Sequence, residues 1–203
     1  SNTFTLANIK ENKKVIKQNH VLLNKSLIYR ILWQNMYLKR EATRELCDII
    51  FVPGGILTSR FQPAVTMSQN MLPFSWKELF RYGVSWTTLR LIILRIIQSH
   101  SLRKADGVIY LTKHAKSKIT NIIGASKASS IIPHGVSPWF RSPPKPQKSI
   151  YNYSFENPIH LIYVSIIDNY KHQNNIVISI GLLRKKGFPV VLSLVGPAYP
   201  PAL

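Results

Sequence analysis

The chain has 203 residues, 45% of them apolar, enough for one full core of ~100 to 150 residues and part of a second. It carries 27 Lys and Arg against 8 Asp and Glu, a formal charge of +19, so either an anionic partner (nucleic acid, membrane surface or phosphorylated substrate) or a merely solvated basic surface is implied. The most apolar run, Leu89 to Ile97, is interrupted by Arg90 and Arg95 and falls well short of the ~20 residues that cross a bilayer, which argues against a spanning protein.

The opening stretch, Asn8 to Lys25, is rich in Lys and Asn and is expected to be partly disordered. A helix is predicted over Ser26 to Leu46, then a strand over Cys47 to Pro53 ending in Gly54 and Gly55, and a strand over Ala64 to Met67. A long helix follows over Trp76 to Lys104, apolar almost all round its middle and therefore expected to bury its centre and leave its basic ends in solvent. Next come a strand at Gly107 to Thr112, a helix at Lys113 to Ile123 stopped by Gly124, and a strand at Ser129 to Pro133. After Pro138, Pro143, Pro144, Pro146 and Pro158, which forbid a persistent regular element, strand, helix and strand recur at Ile159 to Ile166, Gln173 to Lys186 and Val190 to Val195. Gly187 stops that helix, and Lys185 and Lys186 suit its C-terminus.

Short β-branched runs alternating with helices define an α/β chain with mainly parallel sheets. The proline-rich segment 137–158 reads as a linker between a first domain, 1–136, and the start of a second, 159–203, where a lone β-α-β unit ending at Pro200, Pro201 and Leu203 is expected to be incomplete. The charge is confined to the first part: residues 1–150 hold 23 basic and 6 acidic side chains, the remainder 4 and 2. Cys47 stands alone, so no internal disulfide forms, and no leader-like opening is seen, which leads us to expect an intracellular location.

Several chemistries have no counterpart. There is no phosphate loop ending in Gly-Lys-Ser, no Gly-x-Gly-x-x-Gly and no His-Glu-x-x-His. The six histidines are scattered, so no metal is expected, and no finger or aromatic-rich nucleic-acid module occurs, so no nucleic acid is expected either. What remains is the segment IHLIYVSIIDNYK, Ile159 to Lys171, ahead of HQNNIVISIGLLRKKGFPVVLSLVG. Here a strand runs into a loop that offers Lys171 just before a helix N-terminus, where a diphosphate would be held, although such a lysine can equally decorate a surface loop.

That segment resembles the opening of the donor-binding domain in family four of the retaining GT-B glycosyltransferases. There strand, loop, lysine, long helix and a second strand ending in Val-Gly recur in this order. Asp106 to Phe140 is similar to the end of that family's N-terminal domain, with Pro133, His134, Gly135 and Val136 at its closing Pro-Asn-Gly-Val; CDIIFVPGG and PAVTMSQNMLPFSWKELFRYG are similar to its acceptor-side strands and loop. The resemblance runs from Leu32 to Gly196 and implies two Rossmann-like domains, both incomplete, in an internal fragment of a longer enzyme.

By that resemblance, Lys171 contacts the donor diphosphate, while Ile166 occupies the position of the family's second phosphate-binding residue, an arginine. Gly196 would face the nucleotide or simply turn the strand end. His134 and Gly135 would lie near the domain cleft, His134 more plainly as a loop histidine. On the acceptor side Gln69 and Asn70 replace the family's histidine; Asn70 would hold sugar hydroxyls or merely form a turn. Gly54 and Gly55 would admit a ligand or a tight turn. The family's late glutamate pair and early glycine-rich loop have no counterpart, so the 203 residues alone are expected to be inactive.

The implied reaction moves a hexose from a nucleoside diphosphate sugar to a cell-surface polysaccharide or glycolipid hydroxyl, with retention and without metal or other cofactor. The expected partners are the nucleotide sugar, a saccharide or lipid-linked acceptor, and an anionic membrane surface met by the basic ends of Trp76 to Lys104 and the lysines of residues 10 to 25. The expected location is cytoplasmic, peripheral to the inner face of the cell membrane. The alternatives are another GT-B enzyme such as a sugar-nucleotide epimerase, or a basic protein that binds membrane or nucleic acid.

Overall fold

The computed structural model describes residues 6–9, 15–144 and 146–197. Lys10, Lys13 and Lys14 of the basic opening, and Pro200, Pro201 and Leu203 at the end, lie outside these residues. The protein is mixed α/β with parallel sheets, and its contacts divide it into two units. One runs up to Phe74 and resumes over Leu91–His134; the other joins Ser75–Arg90 to the chain from Gly135 onward. The segment Ser75–Arg90, expected within the first domain, thus belongs with the second unit.

In the first unit, α1 (Leu27–Met36) and α2 (Leu38–Arg44) precede β1 (Ile50–Val52) and β2 (Ala64–Ser68). The single helix expected over Ser26 to Leu46 breaks at Tyr37, whose backbone (φ −110°, ψ −33°) closes one helix and opens the next. It stops before Leu46, which sits at φ 52°. The chain returns through β3 (Gly107–Tyr110), α5 (Lys113–Ile123) and β4 (Ser129–Ile131), and the four strands lie side by side in sequence order, all parallel. Alternation along β2 is strict: Ala64, Thr66 and Ser68 are buried and Val65 and Met67 half-buried, the period of a pleated strand. Leu57, Ala64, Phe74, Leu102, Val108, Tyr110 and Ile119 build the core under this sheet.

Local chemistry sets the ends of α5. Thr112 accepts from the Ala115 amide at 3.0 Å, and Gly124 at φ 84° takes a conformation that a side chain would oppose.

The helix expected over Trp76 to Lys104 is interrupted. A short α3 (Trp76–Leu79) and a 3-10 turn (Phe80–Tyr82) end at Gly83, φ 60°, and α4 starts afresh over Trp86–Lys104. Ser85 marks the restart, its hydroxyl accepting from the Thr88 amide at 3.3 Å. The boundary between the units falls within α4, between Arg90 and Leu91. Leu91 and Leu102 are buried, whereas Leu89, Ile93, Ile96 and Ile97 are exposed, so the centre of this helix is less covered than its composition suggested.

In the second unit the segment 137–158 contains only 3-10 turns, Pro138–Phe140 and Ile150–Asn152, among its described residues. It leads to β5 (Ile159–Val164), α6 (Gln173–Lys185) and β6 (Val190–Val195), with β5 and β6 parallel and in register from Ile159↔Val190 to Val164↔Val195. No helix among the described residues is long and apolar enough to cross a membrane.

Candidate functional site

The loop between β5 and α6 is where the second unit gathers its polar side chains. β5 ends at Val164, and the chain turns through Ile166 and Asp168 into a 3-10 turn, Asn169–Lys171, before α6 begins at Gln173. His172 sits between the two turns at φ 57°, a left-handed conformation uncommon for a residue with a Cβ. Its side chain accepts no bond from the first turn of α6; its carbonyl takes the Asn175 amide at 3.0 Å, and the amides at the very start of the helix, which have no partner within it, face a ligand or water. Gln173, buried at the first helical position, fixes the loop by donating to the Ile166 carbonyl at 2.8 Å.

An open cleft of about 370 Å³ lies at this helix start, lined by Arg81, Asp168, Asn169, His172, Asn174 and Asn175 among others. Arg81 arrives from the 3-10 turn after α3 and donates to Glu78 at 2.7 Å; His172 Nε2 stands 3.4 Å from the same carboxylate oxygen. Asp168 accepts from the Tyr82 hydroxyl at 2.7 Å. The cleft therefore offers a guanidinium, an imidazole, several amides and a helix start, with both carboxylates already engaged. Such a set suits an anionic or hydroxyl-rich ligand.

Lys171 precedes this helix start but is not among the lining residues. Its ammonium lies over the Tyr170 ring, 4.8 Å from the centroid, and among the described residues no carboxylate comes within 4.0 Å of it. Gly196, at φ 150° after β6, passes so close to the loop after β5 that a Cβ there would collide with the Ser165 carbonyl. This approach accounts for a glycine without a ligand.

The remaining candidates fall elsewhere. Asn70 is exposed after β2, and its Oδ1 accepts from the Leu72 amide at 2.9 Å, the turn-forming role; Gln69, also exposed, donates to Met67 Sδ at 3.4 Å. Gly54 has open space around its Cα, while Gly55 is buried at φ 72° with a Cβ position 3.2 Å from the Met67 carbonyl oxygen. His134 and Gly135 are exposed at the point where the chain leaves one unit for the other. Within each unit, then, Lys171 and Gly196 share the β5–α6–β6 element and Gln69, Asn70 and Gly55 share the end of β2. Among the described residues no group of three His, Cys, Asp or Glu side chains forms a metal site.

Arg81, His172, Asn174 and Asn175 were not singled out from sequence. The last three flank Lys171 and were within reach of the same argument. Arg81 was not, because only folding brings the segment after α3 to this loop.

No protein-family model matches the chain, and neither the curated proteins nor the solved structures yield a match.

Proposed function

We propose that the cleft at the start of α6 binds the diphosphate of a nucleoside diphosphate sugar, and that the protein belongs to a retaining, metal-independent GT-B glycosyltransferase that passes a hexose to a saccharide or lipid-linked hydroxyl. The observation that carries this reading is the meeting, in one open cleft, of the Arg81 guanidinium and the first turn of α6, which has no side-chain cap, with Lys171 two residues before the helix. Diphosphate oxygens would take hydrogen bonds from the guanidinium and the helix amides, and the Lys171 ammonium would swing off the Tyr170 ring to neutralise the charge that grows as the sugar departs. Arg81 would do from a distant segment what an arginine at position 166 does in the family this chain resembles. A closed cleft that excludes water would supply the rest of the rate by positioning the acceptor. A cytoplasmic location, peripheral to the inner membrane face, belongs to the same reading.

The glutamate pair that the resemblance calls for is absent from these residues, so the test reads donor binding rather than turnover. Calorimetric titration with UDP, GDP and ADP and their hexose derivatives should reveal saturable binding of at least one series. The affinity should drop about tenfold or more in both Lys171→Ala and Arg81→Ala, since a charge-assisted contact is worth ~1.5 to 3 kcal/mol. No binding by any of them, or binding indifferent to both substitutions, would overturn the proposal.

A further inference from the structure

The first unit carries a second concentration of charge, far along the chain from the β5–α6 loop and built from different elements. A groove of about 630 Å³ lies where the end of α1, α2 and Arg60 meet, lined by Asn35, Met36, Lys39, Arg40, Arg44 and Arg60 among others. Arg44 stands 3.7 Å from Glu41 and 3.6 Å from Glu45, so its charge is matched. Lys39, Arg40 and Arg60 are exposed, and among the described residues no carboxylate lies within 4.0 Å of any of the three. Three cations held along one groove repel one another, and an anionic partner relieves that cost.

The groove continues into an apolar stripe. Ile28, Leu32 and Met36 follow one another at four-residue spacing on α1 and are 70%, 46% and 66% exposed, on one side of the helix by its geometry. Away from this stripe, Gln34 of α1 accepts from the Thr58 hydroxyl at 2.8 Å. Met36 belongs to both features, ending the stripe and lining the groove.

We propose that this surface is a membrane-docking face: Lys39, Arg40 and Arg60 meet the phosphates of anionic lipid headgroups while Ile28, Leu32 and Met36 enter the headgroup–acyl boundary. A duplex nucleic acid would engage the cations equally well, but it has nothing to offer three exposed aliphatic side chains, and water solvates the cations while leaving the aliphatic stripe uncovered. The combination of a cationic row with an adjoining apolar stripe on a helix matches the interface of an anionic bilayer. This inference rests on the peripheral location in the proposed function and adds a surface on α1 and α2 to the helix ends and the lysines of residues 10 to 25 expected from sequence. It uses none of the donor-site residues, and a protein that bound vesicles but no nucleotide would leave it intact.

The test is co-sedimentation of the full chain with vesicles of phosphatidylcholine alone or with phosphatidylglycerol added, at low and high salt, alongside random-sequence duplex DNA and a parallel UDP and GDP titration. Binding should require the anionic lipid and weaken as salt screens the charges. Lys39→Glu/Arg40→Glu/Arg60→Glu should lower vesicle partitioning by about a hundredfold, each basic residue contributing roughly fivefold. Ile28→Ser/Leu32→Ser/Met36→Ser should lower it by about tenfold or more through lost apolar insertion. Lys113→Glu/Lys118→Glu/Lys185→Glu, an equal change in net charge elsewhere, should leave most of the binding, and circular dichroism checks that each variant is folded. Equal partitioning to both lipids, no partitioning, an equal loss in the control triple, or DNA binding that ignores the stripe while vesicle binding is absent would each overturn the proposal.

Discussion

The Tyr82 hydroxyl donates a 2.7 Å hydrogen bond to the Asp168 carboxylate across 86 positions of sequence, joining the turn after α3 to the β5–α6 loop within the second unit. Removing it leaves a half-buried carboxylate short of a donor. Tyr82→Phe should lower the stability of this unit by about 1 to 2 kcal/mol, read as an earlier urea transition with faster amide exchange over 75–90 and 166–172. An unchanged transition and exchange pattern would mean the bond is not formed in solution.

Two glycines of the second unit should respond to alanine in opposite directions. At Gly196 the added Cβ meets the Ser165 backbone and the φ of 150° is strained for any L side chain, so Gly196→Ala should cost on the order of 3 kcal/mol or more. Gly181 lies inside α6 with nothing within 4 Å of the Cβ position. There Gly181→Ala should add ~0.5 to 1 kcal/mol by restricting the unfolded chain and favouring the helix. Denaturant midpoints that move the same way for both would contradict this packing.

Asn70 and Lys171 separate a turn from a ligand contact. The Asn70 side chain already serves the Leu72 amide, so Asn70→Ala should cost ~0.5 to 1.5 kcal/mol of stability and leave nucleotide affinity alone. Lys171→Ala should do the reverse, since its ammonium lies over the Tyr170 ring and meets no carboxylate within 4.0 Å among the described residues. In an enzyme that includes the glutamate pair, the same change should slow turnover by ~2 to 4 kcal/mol of transition-state stabilisation. Paired thermal melts and titrations check both.

Asp106 should make the first unit acid-sensitive. Its carboxylate accepts from the Lys127 ammonium at 2.8 Å and from the Ala64 amide at 3.0 Å, tying the start of β3 to the start of β2. The Lys127 hydrogen bond, then the Ala64 amide, hold its pKa below the ordinary 3.8. A carboxylate depressed in the folded state contributes stability that is fully present above its unfolded pKa and is lost as pH falls through the folded one. Stability should therefore decline below about pH 4, with the decline flatter in Asp106→Asn. In Lys127→Ala, NMR titration of the carboxyl should find the pKa moved back towards its usual value. Identical acid limbs in wild type and Asp106→Asn would count against the linkage.

How far the residues speak for themselves depends on the range of the interaction. The strands at Ala64, Gly107, Ser129, Ile159 and Val190 and the helix Lys113–Ile123 were legible because short β-branched runs and a Gly stop act within a few residues. Gly83 carried a local stop signal too, but the strong helical composition on either side masked it. The break at Tyr37 has no such signal. Lys171 ahead of a helix start was equally local, and the turn role of Asn70 was one of the two roles weighed for it. Long-range pairing decided the rest: Arg81 joining a cleft formed by residues 167–175, Tyr82 meeting Asp168, Gly196 pressing on Ser165, and the exposure of Ile28, Leu32 and Met36 beside a groove whose Lys39, Arg40 and Arg60 meet no carboxylate among the described residues. Backbone propensity and capping are written into neighbouring residues, whereas which apolar face is covered and which charge finds a partner depends on residues tens of positions away that only the folded chain brings together.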